Sequence, residues 1–121
     1  MTISRFAPPL LWAALVLILT SIPSPSLVVD PPVPGTDKVG HLALYGVLAF
    51  LSARAAPAAR GPLATLALLA AISAFGAVDE WHQQFVPGRS QDRADWFADT
   101  AGAAIGIFIA QTARRRREPA T

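Results

Sequence analysis

The apolar residues of this chain are gathered into four stretches, each poor in charge and each approaching the length that crosses a lipid bilayer. The first lies between Arg5 and Asp30, a run without a single charged residue. The chain is 53% hydrophobic and 15% charged, with a mean hydropathy of +0.43, which is typical of a membrane protein. The sequence therefore predicts an all-α fold, an integral membrane four-helix bundle with short loops.

We predict a single domain over residues 1–121, with helices at about 8–22, 37–55, 62–84 and 92–113 and a basic cytoplasmic tail at 114–121. Pro8 and Pro9 suit a first helical turn, where a missing N–H costs nothing. The five prolines of residues 23–35 predict an extended loop outside the hydrocarbon, because proline breaks a helix. Thr36 then offers an N-cap for the second helix.

Small residues recur at every fourth position of the fourth helix, at Gly102, Gly106 and Ala110. This spacing places them on one face and permits close helix packing in lipid. The alternative is that they are simply small residues tolerated in a membrane.

The composition also excludes several classes of site. Without cysteine there is no disulfide, no thiolate nucleophile and no cysteine-based zinc or iron-sulfur site. The formal charge of +2 comes from one run, Arg114 to Arg117, which indicates membrane topology, so we expect no nucleic-acid partner. The chain has no nucleophile elbow, zinc-binding His-Glu-x-x-His motif or phosphate loop. We expect no cofactor and no resident metal ion.

A cleavable signal peptide is the main alternative for the first apolar segment, because a lone arginine precedes a short apolar core. No Ala-x-Ala cleavage site follows that core. Cleavage would also leave the second and third helices short of a packing partner. We therefore expect a retained first helix, although cleavage stays open at the level of the sequence.

The basic residues predict the orientation. With both termini in the cytoplasm, that side carries seven basic residues, and the other side carries three: Lys38, Arg89 and Arg93. Cytoplasmic loops are enriched in lysine and arginine. The same arrangement puts seven of the eight acidic residues at or near the outer face, leaving Glu118 inside. We therefore predict a multi-pass protein of the cell membrane with both termini cytoplasmic.

Polar side chains should meet at the outer ends of helices two, three and four. Asp37, His41 and Tyr45 are spaced by four and form one stripe along about 12 Å of the second helix. Asp95 and Asp99 share this spacing on the fourth helix. Glu80, with Gln83 or Gln84, closes the third. Charges inside a membrane helix cost at least ~2.5 kcal/mol near its centre, so these side chains should face one another.

Each of these residues also has a plain structural interpretation. His41 fits a hydrogen-bonded packing residue as well as a metal ligand or a group that transfers protons or binds a ligand. Tyr45 suits the interfacial aromatic belt, and Lys38 and His82 suit solvated interface positions. Asp99 lies nearly two turns into the fourth helix, where it needs a countercharge such as Arg89 or Lys38.

The ordered motifs resemble one known family. They read Asp37-Lys38-x-x-His41-x-x-x-Tyr45, then Asp79-Glu80-x-His82-Gln83-x-Phe85-Val86-Pro87-Gly88-Arg89, then Asp95-x-x-x-Asp99-x-x-Gly102-x-x-x-Gly106. Together, over residues 36–107, they resemble the VanZ-like family of small bacterial membrane proteins.

The resemblance implies a four-helix membrane domain. The name-giving member of the family is associated with low-level resistance to teicoplanin, a glycopeptide that acts on the cell-wall precursor outside the membrane. Relatives often carry asparagine at the position of Asp99. The resemblance transfers the motif residues to eight positions, which we take as the ligand-binding candidates: Lys38, His41, Tyr45, Glu80, Gln83, Arg89, Asp95 and Asp99.

Three functions fit these residues. The first is a binding or accessory role at the outer face, in which Lys38 and Arg89 hold an anionic lipid-linked or cell-wall precursor group and membrane lipid surrounds the helices. The second is a membrane-embedded enzyme acting on a lipid-linked or phosphorylated envelope substrate. In this enzyme Glu80, Asp95 or Asp99 would act as the general base, and His41 or His82 as the general acid. Alternatively, the carboxylates and a histidine would hold a divalent metal ion. The third is a small proton-coupled transporter. The sequence leaves the ligand and the oligomeric state open.

Overall fold

Four helices account for most of the structure, a computed structural model that describes residues 2–23, 36–57, 60–89 and 91–119. They are α1 (Thr2–Ser21), α2 (Thr36–Ala55), α3 (Pro62–Gln83) and α4 (Arg93–Arg117). The predicted all-α class and its four helices are confirmed. Most of the predicted proline-rich loop, residues 24–35, lies outside the described residues.

Helix α1 begins earlier than the sequence predicted. It starts at Thr2 instead of residue 8, so that Pro8 and Pro9 lie inside the helix. A proline in a helix removes the hydrogen bond from its own nitrogen to the carbonyl four residues before. Here only the carbonyls of Ser4 and Arg5, in the first turns, lose that bond, and the helix continues through both prolines.

Helix α4 ends later than the sequence predicted, at Arg117 instead of residue 113. The four arginines are therefore its last turn and not the start of a separate tail. Positive charge is favourable at the negative end of a helix dipole. In addition, the Arg114 guanidinium donates hydrogen bonds to the carbonyls of Ala53 (2.7 Å) and Pro57 (3.3 Å). These bonds give a partner to carbonyl groups at and just after the C-terminal end of α2.

Helices that follow one another in the chain pack antiparallel. The Trp12 indole of α1 donates to the carbonyl of Leu44 in α2 (2.8 Å). Between α3 and α4, the hydroxyls of Ser73 and Thr100 lie 2.8 Å apart and the Gln111 amide donates to the Thr65 hydroxyl (2.6 Å), so earlier residues of α3 meet later residues of α4. Helices α2 and α4 consequently run parallel, and their contact is the most extensive in the bundle.

Glycines bring α2 and α4 into backbone contact. A β-carbon at Gly102 would overlap the carbonyl oxygen of Leu42, and one at Gly106 would overlap that of Gly46. We call this contact the glycine seam. It confirms the close packing predicted from the spacing of small residues in α4.

Large apolar side chains cover much of the outer surface. Leu63 is 82% exposed and Phe108 is 68% exposed. By length and composition, α1 (over residues 4–21) and α3 are apolar and long enough to cross a membrane. Among the described residues, α2 and α4 do not meet the same criterion, because charged side chains occupy their ends.

The bundle has two chemically different ends. At one, α1 ends, α2 begins, α3 ends and α4 begins; we call it the acidic end, and it carries Asp79, Glu80, Asp92, Asp95 and Asp99. At the opposite basic end lie Arg5, Arg54, Arg60 and the arginines 114–117. Five of the seven acidic residues predicted at one side thus lie together at one end, where Lys38, Arg89 and Arg93 also lie, whereas Asp30 and the side chain of Asp37 lie outside the described residues.

Candidate functional site

Polar side chains from all four helices meet at the acidic end. They form what we call the polar cluster, composed of Thr20 from α1, Lys38, His41 and Tyr45 from α2, Asp79, Glu80 and Gln83 from α3, and Asp92, Asp95 and Asp99 at or in the start of α4. The structure thus brings together seven of the eight candidates of the sequence, all except Arg89. Asp37 lies outside the residues whose side chains are described.

His41 is the centre of the cluster. Its Nδ1 lies 2.7 Å from Oδ1 of Asp99 and 3.9 Å from Oε1 of Glu80. On the other side of the ring, Nε2 lies 3.7 Å from Oδ2 of Asp95. One imidazole from α2 therefore faces three carboxyl groups from α3 and α4, as the spacing of these residues on their helices predicted.

Lys38 lies at the mouth of the cluster. Its Nζ contacts Oδ2 of Asp92 (2.8 Å) and Oδ1 of Asp95 (2.7 Å). Asp92 is also the N-cap of α4, where its side chain accepts a hydrogen bond from the amide of Ala94 (2.9 Å). The Lys38 ammonium and, to a smaller extent, this amide hold the pKa of Asp92 below its ordinary value.

Asp99 is fully buried. Neither Arg89 nor Lys38, the predicted countercharges, is its partner, because His41 takes that place. Its second oxygen, Oδ2, has no hydrogen-bond partner among the described residues. A β-carbon at Gly76 would lie 3.1 Å from this oxygen, so the glycine provides the space for the carboxyl group.

Glu80 is almost completely buried and receives two weak hydrogen bonds. The Gln83 amide donates to Oε1 at 3.4 Å, and the Asp92 backbone N–H donates to Oε2 at 3.3 Å. Both lie at the long end of hydrogen-bond distances. The carboxyl group therefore retains capacity for a stronger partner.

A second group of contacts reaches α1, which the sequence analysis did not predict. Asp79, fully buried, accepts hydrogen bonds from the Thr20 hydroxyl (2.6 Å) and from the Tyr45 hydroxyl (3.0 Å). Asp79 does share a helical face with Gly76 and Gln83, a spacing that could have identified it. Thr20, a single hydroxyl in an apolar helix, offered no comparable signal.

Arg89 lies apart from the cluster. Its guanidinium donates to the carbonyls of Ile22 (2.7 Å) and Leu19 (3.2 Å), at the C-terminal end of α1. The last carbonyls of a helix have no partner within the helix, and a cation is favourable there. Arg89 thus connects the segment between α3 and α4 to α1. Its guanidinium is therefore engaged by α1, and not by the polar cluster that contains Lys38, the other residue predicted to bind an anion.

Donor atoms suited to a metal ion also converge in the cluster. His41, Glu80 and Asp95 each offer one such atom, and the three atoms lie within 4.8 Å of one another. Imidazole nitrogen together with carboxylate oxygen is a donor set of divalent transition metals.

The cluster has more acidic than basic groups. Its five carboxyl groups face one lysine and one histidine among the described residues. Buried charges require partners, because the protein interior solvates them poorly. A cation or bound protons would reduce this excess of negative charge.

Comparison with known proteins identifies one family. The family model described as VanZ/LLP1 matches residues 5–114, which is 110 of the 121 residues. The matched range contains the whole polar cluster and the glycine seam. No curated protein and no solved structure matches the chain.

Proposed function

Because the chain belongs to the VanZ/LLP1 family, as its motifs predicted, we propose that it is a multi-pass membrane protein with a binding or accessory role at the outer face of the cytoplasmic membrane. We further propose that this role contributes to resistance against glycopeptides such as teicoplanin. The observation that carries the proposal is the polar cluster, a largely buried set of charged and polar side chains at one end of an apolar bundle.

The membrane location is supported by the surface of the bundle. Large apolar side chains such as Leu63 and Phe108 point outward, and in water a surface of this kind is unfavourable. Helices α1 and α3 have the length and composition of membrane spans. Lipid is therefore the partner that we propose for the outer surface.

The orientation is supported by the two ends. Arginines are concentrated at the basic end, and basic residues favour the cytoplasmic side. In this orientation both termini are cytoplasmic and the polar cluster opens toward the outside, where glycopeptides and cell-wall precursors meet.

The ligand that we propose is an anionic group of a lipid-linked or cell-wall precursor. The Lys38 side chain is 33% exposed, and that of its partner Asp92 is 43% exposed. The pair is therefore open to solvent, and an incoming phosphate or carboxylate can replace Asp92 beside the ammonium group. The buried partner Asp95, whose side chain is 10% exposed, would keep Lys38 in place.

A membrane-embedded enzyme is the second candidate, and the contact between His41 and Asp99 favours it. A buried carboxylate that accepts from one ring nitrogen orients the imidazole and leaves the other nitrogen available as a base. The two candidates differ in one measurable respect, since only an enzyme changes its ligand covalently.

The orientation is tested by cysteine labelling, for which the chain has no natural cysteine. We propose Gln84→Cys at the acidic end and Arg116→Cys at the basic end, both at exposed positions. In intact cells an impermeant maleimide should label only Gln84→Cys, and Arg116→Cys should react after permeabilisation. Labelling of both, or the reverse pattern, would contradict the orientation.

The role in resistance is tested by alanine substitution of the eight candidates in a bacterial host that produces the chain. Glycopeptide sensitivity is scored together with the abundance of each variant in the membrane. Lys38→Ala and His41→Ala should lose resistance at normal abundance, whereas Arg93→Ala, an exposed basic residue at the same end, should keep it. The proposal fails if the wild-type chain confers no resistance, or if every abundant variant retains it.

A further inference from the structure

We propose that His41, Glu80 and Asp95 bind a divalent transition-metal ion of the Zn²⁺ or Mn²⁺ class. This inference rests on the proposed function in one respect, that the polar cluster is the functional site. The binding of metal itself needs neither the membrane orientation nor the role in resistance.

The three donor atoms are close to the separations that a metal ion requires. Three ligands at 2.0–2.2 Å from a common ion lie roughly 3 to 3.5 Å apart. Here they lie within 4.8 Å of one another, so that side-chain movements of about 1 Å would complete the site. They come from α2, α3 and α4, which makes the site a property of the folded bundle.

Asp99 prepares His41 for this role. The 2.7 Å contact places the Nδ1 proton between His41 and the fully buried carboxylate of Asp99. Nε2 then keeps its lone pair and faces Asp95 at 3.7 Å. Oε1 of Glu80 lies 3.9 Å from Nδ1, so the Glu80 side chain must turn toward Nε2 to share the ion. A carboxylate that accepts the second N–H of a ligating histidine is the usual outer partner in metal sites, where it fixes the tautomer and the ring orientation. Asp99 is thus a positioning residue of the site.

The remaining contacts leave the ligand oxygens available. Asp95 uses Oδ1 for Lys38 and points Oδ2 at His41. Glu80 has only long hydrogen bonds, at 3.3 and 3.4 Å. A dication would also offset the negative charge of the surrounding carboxyl groups. One of their oxygens, Oδ2 of Asp99, has no hydrogen-bond partner among the described residues.

The donor set defines the class of ion. Mg²⁺ and Ca²⁺ prefer oxygen ligands, whereas an imidazole nitrogen favours first-row transition metals. Three protein ligands leave one or more positions for water or for an oxygen of an anionic ligand. The ion would therefore supply positive charge beside Lys38 at the place where we propose that the ligand binds.

The test uses the full chain, purified in detergent without a histidine tag, stripped with a chelator and titrated with Zn²⁺ or Mn²⁺. After gel filtration, mass spectrometry of the metal should find about one ion per chain. His41→Ala and Asp95→Asn should lose the ion, whereas His82→Ala, at the chain's other histidine, should retain it. Asp99→Asn should bind about 10- to 100-fold more weakly.

Wild-type measurements keep the inference falsifiable if a variant fails to fold. The metal should raise the melting temperature of the wild-type protein, and Mn²⁺ bound to it should show nitrogen coupling in pulsed EPR. The inference is overturned if folded wild-type protein retains neither ion above background, or if His41→Ala binds as well as wild type. Metal binding without glycopeptide resistance would refute the proposed function alone, and resistance without metal would refute this inference alone.

Discussion

Replacing Gly106 by alanine tests the glycine seam. The added methyl group would overlap the carbonyl oxygen of Gly46 and lie 3.1 Å from the backbone nitrogen of Phe50. Both are backbone atoms of α2, which cannot rotate away as a side chain can. The two helices must separate, and that movement also displaces Lys38 and His41 of α2 from Asp95 and Asp99 of α4.

The expected loss follows from two opposing effects. Glycine to alanine in a helix stabilises by about 0.5–1 kcal/mol, because alanine loses less backbone freedom on folding. Overpacking of a close contact costs about 1–3 kcal/mol. Since the contact is with backbone, we expect the upper part of that range and a net loss of about 2 kcal/mol in the free energy of unfolding.

Gly40→Ala is the matched control. Gly40 also lies in a helix, α2, but a β-carbon there would meet no atom within 4 Å. Unfolding in mixed micelles with increasing SDS, followed by circular dichroism, should show Gly40→Ala as stable as wild type or more stable, and Gly106→Ala clearly less stable. Equal stability of the two variants would refute the argument that α2 and α4 are in backbone contact at the seam.

Three further changes test individual contacts, the first two in the same unfolding assay and the third by amide hydrogen exchange. Tyr45→Phe removes a donor to the buried Asp79 and should cost about 1.5–3 kcal/mol; a loss below 0.5 kcal/mol would mean that Asp79 does not depend on this bond. Asp92→Asn keeps the helix cap but loses the ion pair with Lys38. The pKa of Asp92 is lowered in the folded chain, so the wild-type protein should be more stable than the variant above pH 3.8, the ordinary pKa of the carboxyl group. This difference in stability should disappear as the pH falls further. An advantage that persists in acid would contradict the pairing. Arg89→Gln should loosen the end of α1 and raise amide hydrogen exchange there by a factor of several, with α4 unaffected; equal effects on both helices would contradict a local role.

The sequence predicted the helix boundaries well where charged residues or prolines clearly mark the ends of the apolar stretches. The predicted starts of α2, α3 and α4 differ from the structure by at most one residue. The two wrong boundaries, the start of α1 and the end of α4, both depend on tertiary or local context. Helix α1 continues through Pro8 and Pro9, which were predicted to mark its start. Helix α4 continues past residue 113, where Arg114 donates a hydrogen bond to a carbonyl at the end of α2.

The candidate site was predictable only to the level of helix faces. Spacing by four placed His41 and Asp99 on facing stripes. That His41, and not Arg89 or Lys38, is the partner of Asp99 follows from the packing of α2 against α4. Arg89 is placed by the turn after α3, whose path no periodicity reveals. Thr20 lies 59 residues from its partner Asp79, and long-range contacts of this kind are set by the fold.

The glycine seam joins the second helix to the last one, and this has a consequence for biogenesis. While the ribosome is still making α3, the backbone at residues 42 and 46 lacks its contacts with Gly102 and Gly106. His41 likewise lacks both aspartates that face it from α4. Fragments truncated before α4 therefore possess neither the tight backbone contact nor the histidine environment. Only a chain that already includes α4 can acquire them, so assembly of the site reports that α4 has been synthesised.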